Sequence, residues 1–198
     1  MHYQHAKEFI LKRLRNDLPE TRTYHCFEHT MDVYSSAIDI AEKEGVNGTD
    51  LELLKLAALY HDCGFMVQDH DHEEAGCKIA TEKLTEYGYS EESITRVCDM
   101  IMATKIPQSP KNQLEKILCD ADLDYLGRSD FFLIGDTLYE EFMTYGVVSS
   151  FEEWNKLQVS FLESHTYCTD TSKELRHDKK AENLQRVKDL LENKKASS

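Results

Sequence analysis

The chain has 198 residues, enough for one domain with a single sizeable core, alone or with a terminal extension, and cramped for two independent folds. Its 37 acidic against 23 basic residues give a formal charge of −14, which repels polyanions, and no basic cluster interrupts the interior; duplex DNA or RNA is not an expected partner. No apolar run approaches the roughly 20 residues of a membrane-spanning helix, and the opening Met1-His2-Tyr3-Gln4-His5 lacks the charged-then-apolar layout of a signal peptide, so a cytoplasmic protein is expected.

Only three prolines and eight glycines punctuate the chain, and apolar residues recur at three- and four-residue intervals. This pattern predicts an all-α fold of about eight or nine helices. A first amphipathic segment covers 2–16 and stops at Leu18-Pro19; a second covers 25–44, before the turn Gly45-Val46-Asn47-Gly48. Thr49 and Glu52 have the spacing of a capping box, and the helix they would open carries Leu51, Leu54, Ala58 and His61 along one face. Further helices are predicted over 72–87, 91–104, 112–126, 130–145, 151–165 and 172–193, with Ser150/Glu153 and Thr171/Glu174 repeating the capping-box spacing. Gly88, Gly127 and Gly146 suit the ends of three of them, and the tail 194–198 is expected to fray. The six cysteines (Cys26, Cys63, Cys77, Cys98, Cys119, Cys168) form no CxxC pair, so reduced thiols that pack, Cys26 and Cys63 included, are expected.

Three segments concentrate residues able to do chemistry. In Tyr24-His25-Cys26-Phe27-Glu28-His29-Thr30 the two histidines are four apart, one turn from each other on a helix. In Leu59-Tyr60-His61-Asp62-Cys63-Gly64 an apolar helix ends in a His-Asp pair, and two ionisable groups there are costly unless something binds them. A divalent ion would relieve that cost, since imidazole and carboxylate are good ligands for zinc, manganese or iron. Candidates for a further carboxylate lie in Cys119-Asp120-Ala121-Asp122-Leu123-Asp124, whose three aspartates diverge by about 200° per step of two on a helix, so not all can serve.

The ordered pattern His29, His61-Asp62, Asp122 resembles the HD-domain phosphohydrolases, a helical superfamily, over roughly residues 20 to 130. The resemblance implies a single HD-like domain over 1–198, with the motif-bearing core at about 20–130 and a helical C-terminal extension at about 131–193. It implies His29, His61, Asp62 and Asp122 as ligands of one tightly bound divalent ion (Mn, Fe, Zn, Mg, Co or Ni), the aspartate after a small residue being the usual ligand, with Asp120 as the alternative. Tyr24-His25 is similar to the start of the first-histidine motif of cyclic nucleotide phosphodiesterases, where that histidine protonates the leaving group. Many relatives hold a second metal with extra histidines. Here His70 and His72 are present, but Thr104 stands where a later histidine often falls, which leaves His72 as a phosphate contact, an outer-shell group or a weak ligand.

Among the basic residues, Lys105 and Arg128 lie close to the motif segments and are the expected phosphate contacts, whereas Arg176, Lys179 and Lys180 are expected to decorate solvated helix faces. His2, His5, His165 and His177 are expected to be surface or packing residues. The function expected from this set is metal-dependent hydrolysis of a small phosphate ester, most plausibly a nucleotide, by a metal-bound hydroxide, with Asp62 or Asp122 as base and His25 as acid. Two alternatives are a di-iron oxygenase that uses His70 and His72 as ligands, and a non-catalytic metal- or nucleotide-binding module.

Overall fold

The structure, a computed structural model, describes residues 2–195, and every regular element among them is helical. The tail expected to fray falls partly outside these residues; the last helix continues to Lys195. The chain forms two compact units, Met1–Asp122 and Leu123–Ser198.

The first unit contains α1 (Tyr3–Asp17), α2 (Phe27–Lys43), α3 (Gly48–Tyr60), a 3₁₀ turn (Cys63–Met66), α4 (His72–Glu86), α5 (Glu91–Ala103) and α6 (Gln113–Asp122). Helix α3 is its axis and packs against α1, α2, α5 and α6. The sequence suggests one apolar face, yet Leu53, Leu54, Leu56, Ala57, Ala58, Leu59 and Tyr60 are all fully buried, because other helices close round the second half of α3, while Thr49 and Asp50 at its start stay exposed. Helix α1 presents Ala6, Ile10 and Leu14, a stripe at four-residue spacing, to the same core. The Tyr60 hydroxyl donates to the Ala6 carbonyl at 3.1 Å, so the one polar atom of that buried ring is satisfied.

The second unit contains a 3₁₀ turn (Asp124–Gly127), α7 (Phe131–Thr144), α8 (Phe151–Ser164) and α9 (Asp170–Lys195). Trp154 of α8 packs on Tyr139 and Phe142 of α7. Helix α9 holds the 3₁₀ turn closely: Asn183 Nδ2 donates to the carbonyls of Leu126 and Arg128, each at 3.0 Å, and Arg176 makes a two-pronged pair with the buried Asp124 carboxylate at 2.7 and 2.9 Å. Arg176 is therefore not solvated decoration; neither is Lys180, whose ammonium donates to the His165 carbonyl and is pushed down in pKa by burial.

Several helix ends differ from the sequence expectation, each for a local reason. Gly88 and Gly146 do adopt the left-handed conformation that closes a helix, at φ 77° and 68°. Gly127 does not; it lies in the 3₁₀ turn, where an added Cβ would come 2.5 Å from the Arg176 backbone oxygen. The predicted helix over 112–126 stops at Asp122, since Leu123 (φ −109°, ψ 16°) leaves helical geometry.

Ser150 caps α8 by accepting from the Glu153 N–H at 3.2 Å, although the Glu153 carboxylate reaches back to Ser149. The Thr49/Glu52 box is not formed. Val46 bonds back to the Ala41 carbonyl and brings Asn47 to the capping position, so α3 starts early, and Glu52 accepts from Tyr89 instead. Likewise α9 begins at Asp170, ahead of Thr171, and Thr169 receives the Ser172 N–H at its start, at 3.1 Å.

Candidate metal centre

Four side chains from three helices converge in the first unit. His29 lies in the first turn of α2, His61 and Asp62 directly follow α3, and Asp122 is the last residue of α6. Helix ends position them well, because a side chain there can point past the helix into a shared space while its backbone stays in the packed core. His29, His61 and Asp62 are buried, and the Asp122 side chain is 16% exposed.

Their donor atoms form a tight set. The two imidazole Nε2 atoms are 3.4 Å apart; Asp62 Oδ2 lies 3.4 Å from His29 and 3.2 Å from His61; Asp122 Oδ1 lies 3.2 and 3.5 Å from the same two atoms. Ligands bound at about 2.0–2.2 Å to one tetrahedral ion stand about 3.3–3.6 Å from each other, so the spacing fits a shared ion. His29, His61 and Asp122 make the most compact trio, all within 4.8 Å, and Asp62 adds the fourth donor. Asp62 Oδ2 is buried and accepts no hydrogen bond of good geometry, a cost that a cation would remove.

The hydrogen-bond pattern fixes one tautomer. His61 Nδ1 is 2.8 Å from the Ala58 carbonyl, which can only accept, so Nδ1 carries the hydrogen and Nε2 faces the cluster. In the metal-free protein, burial disfavours a charged His61, but Asp62 and Asp122 outweigh it and hold its pKa well above the usual 6.5. Burial likewise opposes ionisation of the two aspartates, yet the His61 charge drives Asp62 well below 3.8, and hydrogen bonds from His29 and His61 bring Asp122 to about 2. The cluster thus favours one extra positive charge at its centre, whether carried by a proton or by a metal ion.

His25 borders the cluster, but not as the sequence suggests. Tyr24-His25-Cys26 forms a tight turn, with the Cys26 N–H on the Tyr24 carbonyl at 2.8 Å, and α2 starts only at Phe27. His25 therefore precedes the helix instead of sitting one turn below His29, though the two rings still approach edge-on at 5.9 Å. His72, the first residue of α4, places Nε2 at 3.4 Å from Asp62 Oδ1, the oxygen not turned to His29 and His61. Its ring stacks on Phe65 at 3.8 Å.

Two backbone features place His72. Asp71 takes the left-handed conformation (φ 53°), which aspartate tolerates better than most residues, and Gln68 Nε2 donates to the His70 and Asp71 carbonyls. Gly64 lies against the His72 backbone so closely that an added Cβ would fall 1.8 Å from its carbonyl oxygen. Gly64→Ala is accordingly expected to lower stability by about 1–3 kcal/mol or more. A melting temperature equal to wild type would refute this account of the glycine.

The remaining expected residues are placed as follows. His70 is exposed on the loop before α4, and Thr104 is buried, donating to the Ile101 carbonyl at 2.8 Å. Lys105 bridges Asp71 and Glu74, each at 2.7 Å, so contact with a phosphate would require it to exchange these carboxylates. Arg128 belongs to the second unit, where it pairs with Asp130 at 2.8 Å and lies 3.6 Å from Asp124.

Sequence reasoning missed Arg22. Its side chain is 6% exposed, pairs with Asp69 at 2.6 Å and lies 4.1 Å from the Phe65 ring that also touches His25 and His72. The only sequence signal was a basic residue in the short loop ahead of Tyr24-His25, in a chain poor in bases.

An all-helical unit carrying a buried His, His-Asp, Asp set at its helix ends defines the class. The HD domain model matches residues 26–124, and the chain belongs to this family. Among solved structures, a predicted HD superfamily hydrolase from an uncultured Thermotogales bacterium is 22% identical, with 97% of this chain and 92% of that chain covered and a TM-score of 0.64. A Lactobacillus plantarum protein gives 17% identity, coverage of 99% and 100%, and a TM-score of 0.73. Bacillus subtilis YpgQ, solved in complex with ADP, gives 21%, 98% and 97%, and 0.62. No curated protein matches the chain significantly. No helix among the described residues is long and apolar enough to cross a membrane.

Proposed function

We propose that the chain is a metal-dependent phosphohydrolase acting on a small phosphorylated molecule of the nucleotide class. The observation that carries this reading is the four-donor set, with Asp62 Oδ2 and Asp122 Oδ1 each within 3.5 Å of both imidazole Nε2 atoms. Membership of the HD family, the hydrolase description of the Thermotogales protein and the ADP bound to the Bacillus subtilis protein support it.

His29, His61, Asp62 and Asp122 would hold the ion. Such an ion, once bound, acidifies water and draws off charge that builds on phosphoryl oxygens. Asp62 divides its work between two oxygens: Oδ2 faces the histidine pair, while Oδ1 pairs with His72 Nε2, and a proton taken from water by Asp62 or Asp122 would be shared with that ring. His25, at the rim of the cluster, supplies a proton to the departing oxygen. The Arg22 guanidinium, packed against Phe65 beside His25 and His72, is a further basic group that could hold a phosphate, and like Lys105 it would have to exchange a carboxylate, that of Asp69, to do so.

The chain purified without chelators should carry about one divalent metal per molecule and, with added manganese, release phosphate from one or more nucleotides or cleave an aryl phosphodiester. His61→Ala should abolish both. His25→Asn should keep the metal and lower kcat by roughly 10²–10⁴-fold, the usual share of a general acid. Two irons per chain with no phosphate release would favour the oxygenase, and absence of any bound metal would overturn the centre as drawn. Exposure of His70, one of the ligands the oxygenase reading needs, favours the hydrolase.

A further inference from the structure

Cys77 on α4 and Cys98 on α5 face each other in the first unit and belong to none of the metal-centre residues assigned above. Their contacts are reciprocal: Cys77 Sγ lies 3.5 Å from the Cys98 carbonyl oxygen, and Cys98 Sγ lies 3.7 Å from that of Cys77. Each side chain therefore reaches across to the other residue's backbone, which brings the two helices close at this point. The Thr81 hydroxyl sits 3.7 Å from Cys98 Sγ. Both residues are half-buried, whereas Cys63 and Cys119 are fully buried.

An open groove of about 650 Å³ runs over the pair, lined among others by Thr81, Thr85, Tyr89 and Thr95. It is roomy enough for a reagent the size of a tripeptide and polar enough to be wet.

From this arrangement we propose that Cys77 and Cys98 form a redox-active dithiol that low-molecular-weight disulfides convert to an intramolecular disulfide joining α4 to α5. Cys98 is the attacking sulfur. The Cys77 thiol beside it stabilises its thiolate, against the opposing effect of burial, and brings its pKa down to about 7. Cys77 is held as a thiol, its own pKa raised by the neighbouring Cys98 sulfur and by burial.

In the first step the Cys98 thiolate attacks one sulfur of the reagent RSSR, forms a mixed disulfide and expels RS⁻ into the groove. In the second, Cys77 gives up its proton and attacks the Cys98 sulfur, expelling a second RS⁻. The two thiols lose two electrons and two protons in all, and RSSR gains them as two RSH. The pair was not visible in the sequence, because residues 21 apart on different helices carry no spacing signal of the CxxC kind.

The test uses the reduced full-length chain and oxidised glutathione as the probe. After incubation and removal of reagent, denaturation and alkylation should block four of the six cysteines, the intact mass should be lighter by two hydrogens, and fragmentation should find Cys77 linked to Cys98. Cys77→Ser should stop at the first step and carry one glutathionyl group on Cys98. Six alkylated thiols in the treated wild-type chain would overturn the proposal, as would a link between any other pair. The wild-type result decides the matter even where a serine variant fails to fold.

Discussion

Asp122→Ala should lose the bound metal and with it all turnover, while Asp120→Ala should keep both and lose stability instead. Asp122 Oδ1 stands within 3.5 Å of both imidazole nitrogens, and α6 ends at that residue, so its side chain extends into the cluster. Asp120, two positions earlier and about 200° round the helix, is fully buried on α6 and is not part of that close-set group of donors. Removal of outer-shell partners typically costs about 10–100-fold in metal affinity, and a direct ligand should exceed that range. For Asp120, loss of a buried carboxylate that has protein partners should cost about 1–3 kcal/mol and lower the melting temperature. Metal content by mass spectrometry, run beside thermal melts of both variants, separates the two roles. Metal loss in Asp120→Ala with retention in Asp122→Ala would reverse the assignment.

The stability of the metal-free protein should peak in mildly acid solution, and the stabilisation added by metal should grow as pH rises. His61 has a folded pKa above its unfolded value of 6.5, so its contribution is complete below 6.5 and is lost as pH climbs through the folded value. Asp62 and Asp122 behave oppositely. Their contributions are complete above 3.8 and are lost as pH falls through the depressed folded values, about 2 for Asp122.

The metal-free cluster therefore stabilises the fold fully between 3.8 and 6.5 and less on either side. A divalent ion needs neutral imidazole, so it displaces the proton on His61, and its affinity should fall about tenfold per pH unit while one proton is displaced. An ion at 100 times its dissociation constant adds about 2.7 kcal/mol, so the effect is large enough to follow by calorimetry. Melts with and without excess manganese across this range should show a gap that widens with pH. A constant gap would mean that metal and proton do not compete at His61.

The main part of the fold was legible from periodicity alone, since three- and four-residue spacing of apolar side chains leaves little choice but helices. Gly88 and Gly146 marked helix ends for a reason equally local: a backbone that must turn left-handed favours a residue without Cβ. His61-Asp62 was legible as a site because ionisable residues at the end of an apolar helix carry a desolvation cost wherever the chain later folds, whereas the addition of His29 and the choice of Asp122 over Asp120 came from the resemblance to the HD family.

What only the tertiary structure decided was every feature that depends on segments far apart in the chain. The start of α2 at Phe27, which removes His25 from the helix, follows from the tight turn at Tyr24, and Tyr24 itself is buried in the folded unit. The absent Thr49/Glu52 box reflects Tyr89 claiming the glutamate from 37 residues away. Arg22 gained significance only when Phe65 and Asp69 closed on it, and Gly64 only when the His72 backbone came within contact of it. Local sequence sets which backbone conformations and which face periodicities are cheap; long-range packing decides which polar atoms meet, and it is those meetings that divide Asp62 between two oxygens and pair Cys77 with Cys98.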